Sequence, residues 1–196
     1  HSCFNTAPPH RPDRAVAAVA ESLAGPVARS VSWLLPDPAA TAHFGHALAH
    51  SLPGAGAAPL VLYFEGELGA GKTSLIRSVL ASLGHAGRVP SPTYTLVEPY
   101  LLERHRVLHV DLYRLRDPAE LDDLGLADDL AAVDEQGRVS VLLAEWPSRG
   151  AGRLPGPDLI LRLALDGDGR KVCLNACTGV GSSLLREVQR ALPGGF

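Results

Sequence analysis

Apolar and polar positions along this chain alternate first with a period of two and then with a period near 3.6, dividing it into short β runs and amphipathic helices. Ser30 to Leu35 reads as a short strand, and Asp37 or Pro38 opens a helix to about Leu52. On that helix Phe44, Leu48 and Leu52 form one stripe, while His43, His46 and His50 fall on the opposite, solvated face. After a loop from Ser51 to Pro59, Leu60 to Glu65 is a β run. Ser74 to Leu83 follows with Leu75, Ile76, Val79, Leu80 and Leu83 at helical spacing. Pro90 and Pro92 forbid helix, and Tyr94 to Val97 favours strand. Arg106 to Asp111 and Val139 to Glu145 are further β runs, each ending on a carboxylate. Between them Asp117-Pro118 caps a helix to about Leu124, and Gly125 to Val133 continues irregularly or as a second helix. Asp158 to Leu165 and Lys171 to Cys177 flank Asp166-Gly167-Asp168-Gly169, a hairpin signal, and Ser182 to Leu192 closes as a helix.

Residues 1–29, punctuated by Pro8, Pro9, Pro12 and Pro26, read as a flexible N-terminal extension. Residues 30–179 read as one α/β domain and 180–196 as a helical C-terminal tail. At 196 residues the chain is long enough for a real core. No apolar stretch approaches the roughly 18 residues that span a membrane, and Ala15 to Ala20 is too short for a secretory signal, so a cytoplasmic protein is expected. A formal charge of −3 argues against a dominant nucleic-acid surface, because phosphate backbones are bound through clustered Lys and Arg. Cys173 and Cys177, about 13 Å apart if they share one strand, are beyond disulfide reach and read as buried thiols.

The chemistry concentrates in Gly66-Glu67-Leu68-Gly69-Ala70-Gly71-Lys72-Thr73, a G-x-x-x-x-G-K-T phosphate loop. Backbone N–H groups must curl around a phosphate, and Gly66, Gly69 and Gly71 keep that backbone bare. Lys72 then opens a helix whose N-terminus favours an anion, its ammonium in reach of the β- and γ-phosphates and the Thr73 hydroxyl placed for Mg²⁺. Only two of the 18 basic residues are lysines, Lys72 and Lys171, so a lysine in this slot carries weight. A P-loop also needs an acid at the end of a neighbouring strand. Asp111 and Glu145 are the two on offer, and in a parallel sheet both emerge at the edge where the loop sits. The expected fold is therefore α/β, a P-loop NTPase-like three-layer sandwich with a mostly parallel central sheet and a C-terminal antiparallel hairpin.

Four blocks in order carry a more specific resemblance: the P-loop, Ser91-Pro92-Thr93-Tyr94-Thr95-Leu96-Val97, His109-Val110-Asp111-Leu112-Tyr113-Arg114-Leu115 and Glu145-Trp146-Pro147. Together they resemble the TsaE (YjeE) family, the bacterial ATPase required for making threonylcarbamoyladenosine in tRNA, from about Ser32 to Thr178. The resemblance implies that Glu67, Leu68, Gly69, Ala70, Gly71, Lys72, Thr73 and Ser74 cradle ATP, and that Thr73 and Glu145 bind Mg²⁺. It implies that Asp111, with Lys72 and Glu145, serves hydrolysis, and that Ser91 to Leu96 is a switch-like segment with Thr93 and Thr95 as candidate γ-phosphate sensors. Trp146 packs the strand end or touches nucleotide. TsaB and TsaD are the implied partners, with tRNA met only indirectly through their complex and no threonylcarbamoyl transfer by this chain itself. Departures from the family pattern, such as the longer Asp134 to Arg138 connection and Ala144 ahead of Glu145, touch no motif.

Two rivals share the P-loop. A small-molecule kinase needs positive clamps, yet the segment after Asp111 carries Asp117, Glu120, Asp122, Asp123, Asp128 and Asp129. A nucleotide-dependent protein-binding switch of the GTPase type recognises guanine through N-K-x-D, and the two asparagines, Asn5 and Asn175, precede no lysine.

Overall fold

A computed structural model describes residues 30–92, 95–132 and 134–195. The candidate extension at 1–29 lies outside them, as do Thr93 and Tyr94. Among the described residues seven strands form one sheet: β1 (Ser30–Leu35), β2 (Leu60–Glu65), β3 (Val97–Leu101), β4 (His105–Asp111), β5 (Val139–Glu145), β6 (Leu159–Asp166) and β7 (Gly169–Ala176), in the order β1-β7-β6-β2-β5-β4-β3. The centre β6-β2-β5-β4 is parallel. The outer pairings β1 with β7, β7 with β6 and β4 with β3 are antiparallel.

Helices α1 (Pro38–Ser51), α2 (Lys72–Ser82) and α4 (Gly179–Ala191) cover one face, and the short α3 (Leu126–Ala131) lies on the other. Helix α1 starts where Asp37 accepts the Ala40 N–H at 2.7 Å and Pro38 supplies a preset φ. Its Phe44 and Leu48 stripe is buried against β1 and α2, and His43, His46 and His50 are exposed. Among the described residues, no three His, Cys, Asp or Glu side chains gather as a metal cage. Val31, Trp33, Leu62, Phe64, Leu75 and Leu143 share the large core with Leu184, Leu185 and Val188 of α4. A smaller core on the other face joins Val61, Leu108, Val110 and Leu142 to Leu121, Leu126 and Leu130. Among the described residues no helix is long and apolar enough to cross a membrane.

The structure departs from the sequence reading in four places. Of the strand expected at Tyr94 to Val97, Tyr94 is outside the described residues, and Thr95 and Leu96 precede β3, since Leu96 takes a left-handed φ of 59° and donates its N–H to the Pro92 carbonyl. Pro99 sits inside β3, tolerated because that strand is an edge. The helix from Asp117 shrinks to one 3₁₀ turn, Pro118–Leu121, under a capping box made by Asp117 and Glu120. Cys173 is half-buried and Cys177 exposed, not buried as expected. Val172 and Leu174 face the core, so the period of two turns Cys173 to the other side of the sheet.

Candidate active site at the phosphate loop

Strand β2 ends at Glu65 and helix α2 begins at Lys72, so the loop lies at the carboxyl edge of the parallel strands. Gly66, Gly69 and Gly71 all have positive φ (140°, 81° and 102°). At Gly66 any side chain is also excluded by space, since a Cβ there would sit 2.3 Å from the Leu163 carbonyl oxygen. Beyond the loop Leu75, Ile76, Val79 and Leu80 bury the inner face of α2 and fix its N-terminus.

Lys72 is 4% exposed, and its Nζ donates to the carbonyls of Gly66 at 2.6 Å and Glu67 at 2.9 Å. The same ammonium lies 3.9 Å from the centre of the Trp146 ring. Burial pulls this group below the usual lysine range, while the carboxylates of Glu145, Asp111 and Glu67 pull the other way. Trp146 itself has a left-handed φ of 57° directly after β5 and packs at 5.1 Å against Tyr113. Arg149 lies over both rings, at 5.1 Å from Tyr113 and 5.9 Å from Trp146.

The two strand-ending acids are neighbours in register, Asp111 against Glu145 across β4 and β5. Glu145 is 2% exposed and accepts the Thr73 hydroxyl at 2.9 Å from either oxygen. Asp111 is 4% exposed; one oxygen accepts the Ser91 hydroxyl and the other the Tyr113 N–H at 3.0 Å. Its own N–H donates to the Leu96 carbonyl at 3.1 Å. Ser91 and Leu96 thus hold Asp111 at its side chain and its backbone.

Leu68, Gly69, Gly71, Lys72, Thr73, Ser74, Asp111, Glu145 and Trp146 line one cleft of about 410 Å³, and Ser91, Tyr113, Arg114 and Arg170 complete it. Ala70 is buried beneath the loop and Glu67 lies on its outer side, where both line a separate depression beside β6. Thr95 is exposed in its turn and outside the cleft; Thr93 is not among the described residues. A second hollow of about 390 Å³ adjoins the cleft through Gly71, Ser74 and Arg170 and extends to Leu35, Pro38 and Thr41. Sequence reasoning assigned no role to the contacts of His109, nor to Arg170 beside the loop. Arg170 does lie along it, since a Cβ on Gly71 would be 3.4 Å from its Nε. The hairpin that carries Arg170 was legible, but not which end of the sheet it approaches.

A parallel sheet with a strand, glycine-rich loop and helix at its carboxyl edge, and two acids beside the loop, defines a P-loop protein. The model of the family described as "Threonylcarbamoyl adenosine biosynthesis protein TsaE" matches residues 35–172. The chain belongs to the TsaE family, that of tRNA threonylcarbamoyladenosine biosynthesis. It is 40% identical over 126 residues to the Haemophilus influenzae tRNA threonylcarbamoyladenosine biosynthesis protein TsaE, covering 64% of this chain and 76% of that one. The protein of the same description from Synechocystis is 35% identical over 120 residues, covering 61% and 72%. Among solved structures, Bacillus subtilis YdiB shares the fold with a TM-score of 0.66 at 25% identity, covering 85% of this chain and 98% of that one.

Proposed function

We propose that this chain is a Mg²⁺-dependent ATPase of the cytoplasm that acts with TsaB and TsaD in threonylcarbamoyladenosine synthesis and does not itself transfer the threonylcarbamoyl group. The observation that carries the reading is the convergence of Lys72, Thr73, Asp111 and Glu145 on one cleft at the loop. The triphosphate follows the loop N–H groups from Glu67 to Ser74, and the nucleoside extends into the adjoining hollow beside Pro38 and Thr41. Lys72 then exchanges the Gly66 and Glu67 carbonyls for phosphate oxygens. Arg170, at the junction of the two hollows, adds a second cation beside the phosphates.

The donor set fits Mg²⁺. A hydroxyl and a buried carboxylate, 2.9 Å apart beside a phosphate site, are the hard oxygen ligands this ion shares with nucleotide phosphates. Thr73 and Glu145 would hold it, and it would supply charge neutralisation on the phosphates. Asp111, held through both oxygens, is the group that orients or accepts from the attacking water. Partner contacts complete the site, so hydrolysis by the chain alone is slow.

The test is ATP hydrolysis by the purified chain with Mg²⁺, alone and with cognate TsaB and TsaD, scoring threonylcarbamoyladenosine on tRNA in the same reactions. Partner-stimulated turnover coupled to modification is expected. Equal turnover with and without the partners, and modification that does not depend on this chain, would overturn the reading.

A further inference from the structure

His109 is fully buried in β4, and its Nε2 lies 2.9 Å from Oε1 of Glu145. Its other ring nitrogen, Nδ1, is buried and has no hydrogen-bond partner among the described residues. An imidazole held only for its volume would gain nothing from this arrangement, since an apolar side chain fills the space without leaving a polar atom unpaired. The bond to Glu145 is therefore the reason for a polar group at this position. A carboxylate can only accept, so Nε2 carries the proton and donates it.

That bond makes the two oxygens of Glu145 unequal. Oε1 meets both His109 and the Thr73 hydroxyl, whereas Oε2 meets the hydroxyl alone. Glutamate's last torsion is broad and roughly two-fold, so a carboxylate at a strand end turns freely unless something fixes it. Glu145 lines the cleft and His109 does not. The imidazole thus acts from behind, pinning one oxygen and leaving the other with spare lone pairs. His109 and Asp111 are two residues apart on one strand and so lie on one face, which lets β4 supply one cleft acid and fix the orientation of the other.

We propose that His109 is a positioning residue for the Mg²⁺ site: its Nε2–H holds the Glu145 carboxylate so that Oε2 is turned to the cation. The inference rests on the assignment of Glu145 to that site. Outer-shell donors of this kind are worth about 10–100-fold in metal affinity where they have been removed.

The experiment measures binding of a fluorescent ADP, carrying N-methylanthraniloyl on the ribose, across a Mg²⁺ titration and in EDTA. His109→Leu keeps apolar volume and removes the donor; His109→Gln returns an N–H at similar reach. The Leu variant is expected to need at least about ten-fold more Mg²⁺ for half-maximal tight binding, with EDTA affinity unchanged and the Gln variant within a few-fold of the unaltered chain. A Leu variant with unchanged Mg²⁺ dependence, or a Gln variant as impaired as Leu, would overturn the inference alone. An unaltered chain that binds the probe equally in Mg²⁺ and EDTA would overturn the metal-site reading and this inference with it. Imidazole ¹⁵N NMR on the unaltered chain tests the point without a substitution: a His109 Nε2–H tautomer that shifts when Mg²⁺ joins bound ADP supports it, and an Nδ1–H tautomer, or no shift, refutes it.

Discussion

Lys72 shows how local the residue-scale signals are. Its place at the start of α2, its glycine neighbours and the hydroxyl of Thr73 are all contiguous, so spacing alone reveals them. Lys72→Ala should weaken ATP binding by at least about ten-fold, because a charge-assisted hydrogen bond is worth roughly 1.5–3 kcal/mol, and should abolish turnover; calorimetry and phosphate release check the two separately. Asp111→Ala should keep nucleotide binding and lose hydrolysis, and equal loss of binding would refute its role. The groups that hold these residues were not legible. Ser91 reaches Asp111 across 20 residues from the irregular stretch ahead of β3, and His109 reaches Glu145 across 36 through the register of β4 and β5; no local pattern encodes either. Trp146 lies over the Lys72 ammonium because of a backbone turn after β5 that composition does not announce.

At the scale of elements, the strands with apolar runs and the hairpin at Asp166 to Gly169 follow their patterns, and β3 does not, because a left-handed turn displaces its start. The contact between α1 and α2 was also hidden. Gly45 faces Ser78 so closely that a Cβ would lie 2.4 Å from the Ser78 Cβ. In a free helix Gly→Ala gains about 1 kcal/mol, but overpacking costs about 1–3 kcal/mol. Gly45→Ala should therefore lower stability by roughly 1 kcal/mol in urea unfolding, and a higher midpoint would refute the close packing. His105 at the start of β4 donates from Nε2 to the Pro53 carbonyl at 3.0 Å. Burial holds its pKa below the ordinary imidazole value, the bond to Pro53 offsets part of this, and the Arg104 charge adds to the lowering. The unfolded chain therefore takes up this proton first as pH falls. The stability it contributes is complete above about pH 6.5 and is lost as pH falls from there towards the folded value. His105→Gln should flatten the fall in melting temperature between about pH 7 and 5 relative to the unaltered chain; parallel curves would show that His105 does not titrate this way.

For the whole molecule, the order of elements gave the fold class, but not how far the last helix enters it. Leu185 and Val188 are fully buried and Leu184 is 3% exposed, all in the main core. Each of these three side chains is worth about 1.5–3 kcal/mol on burial, so a chain ending at Cys177 forfeits roughly 4.5–9 kcal/mol. Domains hold only about 5–15 kcal/mol in all. That truncation should be insoluble or lack a cooperative melting transition, and a sharp transition near that of the full chain would refute the role of α4. The paired register of Asp111 and Glu145 has a consequence for how such a chain can vary in length. The gap between the acids is set by the spacing of adjacent strands, about 4.8 Å, so the sheet acts as a ruler that no side chain can reset. One residue inserted within β4 or β5 would turn its acid to the opposite face. The same insertion between Asp134 and Arg138 leaves both acids where they are, which makes that connection, and not the strands, the place where this architecture can lengthen without losing its chemistry.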